Sequence, residues 1–131
     1  MPSLSANPNP DTRDETRAEA VVTRAAVRAA EALGMTARVL SAVLGVSEAS
    51  VSRMRRQDFR LERGSKPFEL AVLFIRLFRS LDAITGGDEA VARAWLVADN
   101  RALGGRPLER ITSISGLVDV LAYLDARRAL V

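Results

Sequence analysis

The chain has 131 residues, 48% of them hydrophobic and 27% charged, which is enough apolar material for one compact domain or two closely fused subdomains. It contains neither cysteine nor histidine, which excludes disulfides, zinc knuckles and thiol nucleophiles, and removes the commonest general base; carboxylates, hydroxyls, Lys66 and one phenol remain. The net charge of +3 is unevenly spread: residues 34–66 carry seven basic and three acidic side chains, while residues 1–33 sum to −1 and the rest to zero.

Aromatic residues make up only 5%, so the apolar load falls on Ala, Leu and Val, which favours helix-on-helix packing and an all-α fold. Residues 1–10, with Pro2, Pro8 and Pro10 and no apolar period, read as a disordered tail. Asp11 or Thr12 then caps a helix in which Ala18, Val21, Val22, Ala25, Ala29, Ala32 and Leu33 recur at helical spacing, ending at Gly34. Thr36 caps a short helix with Val39, Leu40, Val43 and Leu44, stopped by Gly45, and Ser47 caps a second with Val51 and Met54. Residues 57–65 read as a connection between an N-terminal region, 11–64, and a C-terminal one, 65–131.

Ser65 and Pro67 open a long helix whose apolar stripe, Leu70 to Ile84, is too wide for one exposed helix and is expected in a core or a dimer interface, with Phe74 and Phe78 as its largest members. Asp88 caps a further helix with Val91, Trp95 and Leu96. Residues 100–112 read as a loop, and a last helix runs from near Thr112 to Arg127 and Arg128.

The pair of short helices around Gly45 has the form of a helix-turn-helix. Glycine supplies the positive φ that the turn needs, and Leu40, Leu44, Val46, Val51 and Met54 fall where the two helices must lock. With Val51 and Met54 inward, Glu48, Ala49, Ser52, Arg53, Arg55 and Arg56 lie on or flank the outward face of the second helix. Small residues there permit close approach to base edges, and arginine reads guanine or holds phosphate. The same pattern also suits an αα-corner whose basic face is only solvated.

The C-terminal half shows an ordered series: Ala94-Trp95-Leu96, then Asn100-Arg101-Ala102-Leu103-Gly104-Gly105, then Pro107-Leu108-Glu109, then Ser115-Gly116-Leu117-Val118-Asp119-Val120-Leu121. This succession resembles the toxin-binding domain of the Xre/MbcA/ParS antitoxin family, over about residues 67–128. The resemblance implies an all-helical antitoxin with an N-terminal helix-turn-helix subdomain and a small helical toxin-binding subdomain. Such a protein dimerises, pairs with a RES-domain toxin that uses NAD, occludes the toxin's active site and represses its own operon by binding operator DNA. Toxin contacts are then expected from Asn100 and Arg101 and from the terminal Arg127, Arg128, Leu130 and Val131. The chain departs from the family in ending Ala126-Arg127-Arg128-Ala129-Leu130-Val131, without the glycine that members often carry there. Trp95 reads first as a core anchor, beside Val91 and Leu96. Arg127 and Arg128 also suit the negative end of the helix dipole.

An enzyme would need a carboxylate pair such as Asp88 and Glu89 beside a cleft, so no catalytic residue, cofactor or metal is expected. No signal-like or bilayer-length apolar run is present, which points to a cytoplasmic protein with no membrane partner. The alternative reading is a stand-alone helix-turn-helix transcriptional regulator whose C-terminal half is a dimerisation module.

Overall fold

The structure is a computed structural model and describes residues 10–130. Residues 1–9 of the expected tail, and Val131, lie outside the described residues. The described residues form seven α-helices and one 3-10 turn, with no β-strand beyond a single bridge between Asn100 and Gly105, as the all-α expectation requires.

Helix α1 (Pro10–Ala32) begins ahead of the expected start, so Thr12 sits inside its first turn. Its buried face is also rotated from the expected stripe. Thr23, Ala26, Val27, Ala29, Ala30 and Leu33 are buried, whereas Val21 is 60% exposed. Alanine recurs so often in α1 that apolar spacing leaves its inward direction undetermined; the packing partners decide it.

Each of the next four helices has a side-chain cap satisfying an amide that the first turn leaves free, a contribution of about 1 kcal/mol each. Thr36 caps α2 (Ala37–Leu44), Ser47 caps α3 (Glu48–Arg55), Ser65 caps α4 (Lys66–Ile84) and Asp88 caps α5 (Glu89–Val97). The expected loop over residues 100–112 is instead largely helical. Asn100 Oδ1 accepts from the Leu103 amide to start a 3-10 turn (Arg101–Leu103), and Pro107 begins the one-turn helix α6 (Pro107–Arg110). These elements are too short to show a helical period in sequence. Ser113, rather than Thr112, caps α7 (Ile114–Arg128) by accepting from the Gly116 amide.

Helix α4 is central. It packs against α1 and α2 on one side and against α7 on the other, with a smaller contact to α5. Leu70, Ala71, Phe74, Ile75, Leu77, Ser80 and Leu81 are buried, and Leu73, Phe78 and Ile84 are partly so. One continuous apolar cluster runs from Ala26 on α1 to Leu124 on α7. The 57–65 connection adheres to α1: the buried Leu61 amide donates to Thr23 Oγ1 at 2.9 Å, and the Arg63 amide to Glu19 Oε2 at 2.8 Å. Two buried polar groups are thus matched across elements, since Ser80 Oγ also donates to Asp125 Oδ1 at 2.7 Å, joined by Arg76 Nη2 on Asp125 Oδ2 at 3.2 Å.

Two glycines serve different needs. Gly45 has φ +71, and a Cβ there would meet only Leu70 Cδ1 at an ordinary contact distance of 3.9 Å, so its requirement is conformational. Gly116 is buried within α7, and a Cβ there would overlap the Arg110 carbonyl oxygen, which is backbone and cannot swing aside. Gly45→Ala should therefore cost about 1 kcal/mol, the penalty of a left-handed alanine. Gly116→Ala should cost more, about 1–3 kcal/mol, because α7 must shift against α6. Urea unfolding followed by circular dichroism measures both, and equal midpoints for the two variants would contradict the steric assignment.

Candidate functional site

The turn between α2 and α3 is built as the sequence suggests. The Gly45 amide donates to the Ser41 carbonyl as the chain turns through the left-handed region, and Leu40, Val43, Leu44, Val51 and Met54 are buried at the lock. Ser47 Oγ accepts from the Ser50 amide at 3.0 Å and lies 3.0 Å from Ser50 Oγ. The buried Ser50 hydroxyl therefore belongs to the capping network of α3, a role that its place beside apolar Val51 did not announce.

Glu48, Ala49, Ser52, Arg53, Arg55 and Arg56 are all solvent-exposed on α3 and its C-cap. The arginines are not equally free. The Arg53 guanidinium lies 5.2 Å above the Phe59 ring and donates to Ser50 Oγ at 3.3 Å, so its stem is held against the end of α3. Arg55 turns away from the outward face, donating to the Met35 carbonyl at 3.3 Å, which ties α3 to the segment after α1. Arg56 pairs with Asp58 at 3.4 Å with both side chains largely in water, a weak contact that a phosphate can displace. The outward patch thus consists of Glu48, Ala49, Ser52, Arg53 and Arg56, with Arg55 at its flank. Phe59, the platform under Arg53, was not singled out in the sequence; an aromatic residue just past a basic helix end was the signal available.

Of the other expected site residues, Phe74 is fully buried and serves the core alone, so it cannot be part of a dimer surface in this fold. Phe78 is half-buried, at the edge of a groove between α1 and α4. Trp95 is half-buried on α5 and stacks on Tyr123 of α7, with ring centroids 6.2 Å apart and planes at 23°, which makes it an anchor between two helices. Asn100 exchanges both backbone hydrogen bonds with Gly105 while its side chain caps the 3-10 turn, so its backbone and Oδ1 are occupied in holding the loop; Arg101 next to it is exposed.

The C-terminal end of α7 is open to solvent. Arg127 donates to the Tyr123 hydroxyl at 3.0 Å and lies over that ring, Arg128 is exposed, and Leu130 is 85% exposed. Val131 lies outside the described residues. Both arginines occupy the last turn, where the helix dipole favours positive charge. Upstream, Asp125 is anchored by Ser80 and Arg76 and Leu124 is buried, so the fixed part of α7 ends at Asp125.

Among the described residues, no group of three or more carboxylates is placed to hold a metal ion, and no helix is long and apolar enough to cross a membrane.

Two known families match the chain, one after the other, with the change between them inside α4. The family described as the antitoxin Xre-like helix-turn-helix domain matches residues 12–76, and that described as the antitoxin Xre/MbcA/ParS C-terminal toxin-binding domain matches residues 80–129. Among curated proteins, none matches the chain.

Proposed function

Because the chain belongs to the Xre/MbcA/ParS-like antitoxin family, we propose that it neutralises a RES-domain, NAD-using toxin by occluding the toxin's active site, and represses its own operon by binding DNA. It acts in the cytoplasm as a homodimer and is not itself an enzyme. The observation that carries the reading is the adjacency on one chain of a helix-turn-helix match and a toxin-binding match, together spanning nearly all of α1 to α7.

The DNA-reading face is α3. Ala49 and Ser52 are small and outward, which lets the helix approach base edges. Arg53 and Arg56 supply guanidinium forks, and Glu48 selects against phosphate and suits a cytosine amine. Two copies related by a two-fold axis would present two such helices to half-sites one DNA turn apart. The toxin-binding element is the exposed end of α7, where Arg127, Arg128 and Leu130 project beyond the Asp125 anchor with Val131 following them, joined by Arg101 on the 3-10 turn. An apolar tip flanked by two cations suits insertion into a cleft whose rim is acidic.

Co-expression with the RES-domain toxin tests the neutralising role: the full chain should restore growth. Truncation after Asp125 leaves every buried residue of α7 and its tie to α4 in place, so this variant should keep its helical circular dichroism while losing protection. A truncated variant that folds and still protects would remove the α7 end from the toxin contact. Replacing Arg53 and Arg56 together with alanine should weaken binding to the operator at least tenfold and leave neutralisation intact, because neither residue touches α7. An unchanged gel shift with that double variant would show that another face meets DNA.

A further inference from the structure

Between α1, the end of α3 and the 57–60 segment lies a cleft of about 390 Å³ that shares only Arg55 with the flank of the α3 patch. Arg24, Arg28, Arg55 and Arg60 line it against a single acid, Glu31. Arg24 and Arg28 stand one turn apart on α1 and so share a face. Arg24 donates to Gln57 Oε1 at 3.3 Å and Arg55 to the Met35 carbonyl, which leaves guanidinium N–H groups on both still to be satisfied. Among the described residues, Arg28 and Arg60 have neither an ion-pair nor a hydrogen-bond partner, and none of the four arginines is paired with a carboxylate. Glu19, Asp58 and Glu62 line the adjoining groove on the far side of Arg60, but within the cleft four like charges face one acid and make its surface positive, and the group that relieves this is an anion.

The cleft joins the outward face of α3. Phe59 is the shared wall: one side of its ring carries the Arg53 guanidinium, and its side chain also lines the cleft. A duplex laid along α3 therefore carries one strand past the end of that helix toward Arg60, Arg28 and Arg24. Guanidinium groups match phosphate oxygens in bidentate geometry.

We propose that this cleft is a second DNA contact, holding the phosphodiester backbone that flanks the groove entered by α3 and adding affinity without sequence preference. The proposal rests on the DNA reading of α3 given above. It assigns to α1, a helix outside the helix-turn-helix pair, a direct part in binding.

The test uses the full chain with Arg28→Gln and Arg60→Gln together, substitutions that break no interaction among the described residues. Dissociation constants are measured over a series of salt concentrations on a duplex from the chain's own promoter region and on an unrelated duplex of equal length. Losing two phosphate contacts should lower the magnitude of the salt slope by about 2 and weaken both duplexes by a similar factor, leaving the preference between them unchanged. Restoring charge with Arg28→Lys and Arg60→Lys should return most of the slope. A glutamine variant with the wild-type slope overturns the cleft contact, while wild-type binding to the promoter duplex leaves the α3 reading standing. Failure of the wild-type chain to bind either duplex removes both. Calorimetry with ATP distinguishes a free nucleotide as the source of phosphate: heat abolished by the glutamine variant with an unaltered DNA slope overturns the duplex assignment. Loss of toxin neutralisation with an unaltered slope overturns it in favour of an acidic protein surface.

Discussion

Helix α4 must bury apolar side chains around more than half of its circumference, and everything else in the molecule is arranged to satisfy it. Ile75 and Phe78 turn toward α1, Leu70 lies against the Gly45 turn, and Ser80 and Arg76 reach Asp125 on α7. Helices of eight residues such as α2 and α3 have little stability in isolation, because nucleation takes most of what a few hydrogen bonds return. The outward face of α3 therefore exists because α2 and α3 are clamped between α1 and α4. The core does not divide at the 57–65 connection: the helix-turn-helix region and the region that matches a toxin-binding domain share a single hydrophobic interior.

That arrangement explains what could be read from the sequence. The caps Thr36, Ser47, Ser65 and Asp88 are local devices, each with its partner amide within three residues, so the starts of α2 to α5 were legible at once. The turn at Gly45 and the lock around Val51 and Met54 are also local. The width of the α4 stripe gave its central position, because no exposed helix carries so many large apolar side chains. The toxin-binding half was legible through the order of its short motifs, which resemble a family rather than declare a chemistry.

What was not legible depends on pairing between distant segments. The inward face of α1 could not be chosen from a run of alanines; Leu61 and α4 choose it. The 3-10 turn rests on its Asn100 cap and on the burial of Leu103, and α6 on Pro107 and on packing against α5 and α7, so their residues looked like a loop. The fate of individual arginines was hidden too: Arg55 closes onto the Met35 carbonyl and Arg53 onto the Phe59 ring, contacts that no linear spacing reveals. The charge balance misled in one respect. The first 33 residues sum to −1, yet α1 turns Arg24 and Arg28 into the same cleft as Arg55 and Arg60, so the electrostatic surface is assembled across a boundary that a running sum treats as neutral.

The docking of α7 on α4 has a consequence for biosynthesis. Leu117, Val120, Leu121 and Leu124 leave the ribosome after every other residue of the described core, and until they do, the side of α4 that they cover is wet and sticky. For as long as α7 is missing, a nascent chain carries an open apolar strip along α4, the kind of surface that chaperones and proteases act on. Completion of α7 and closure of this core against degradation are thus one event.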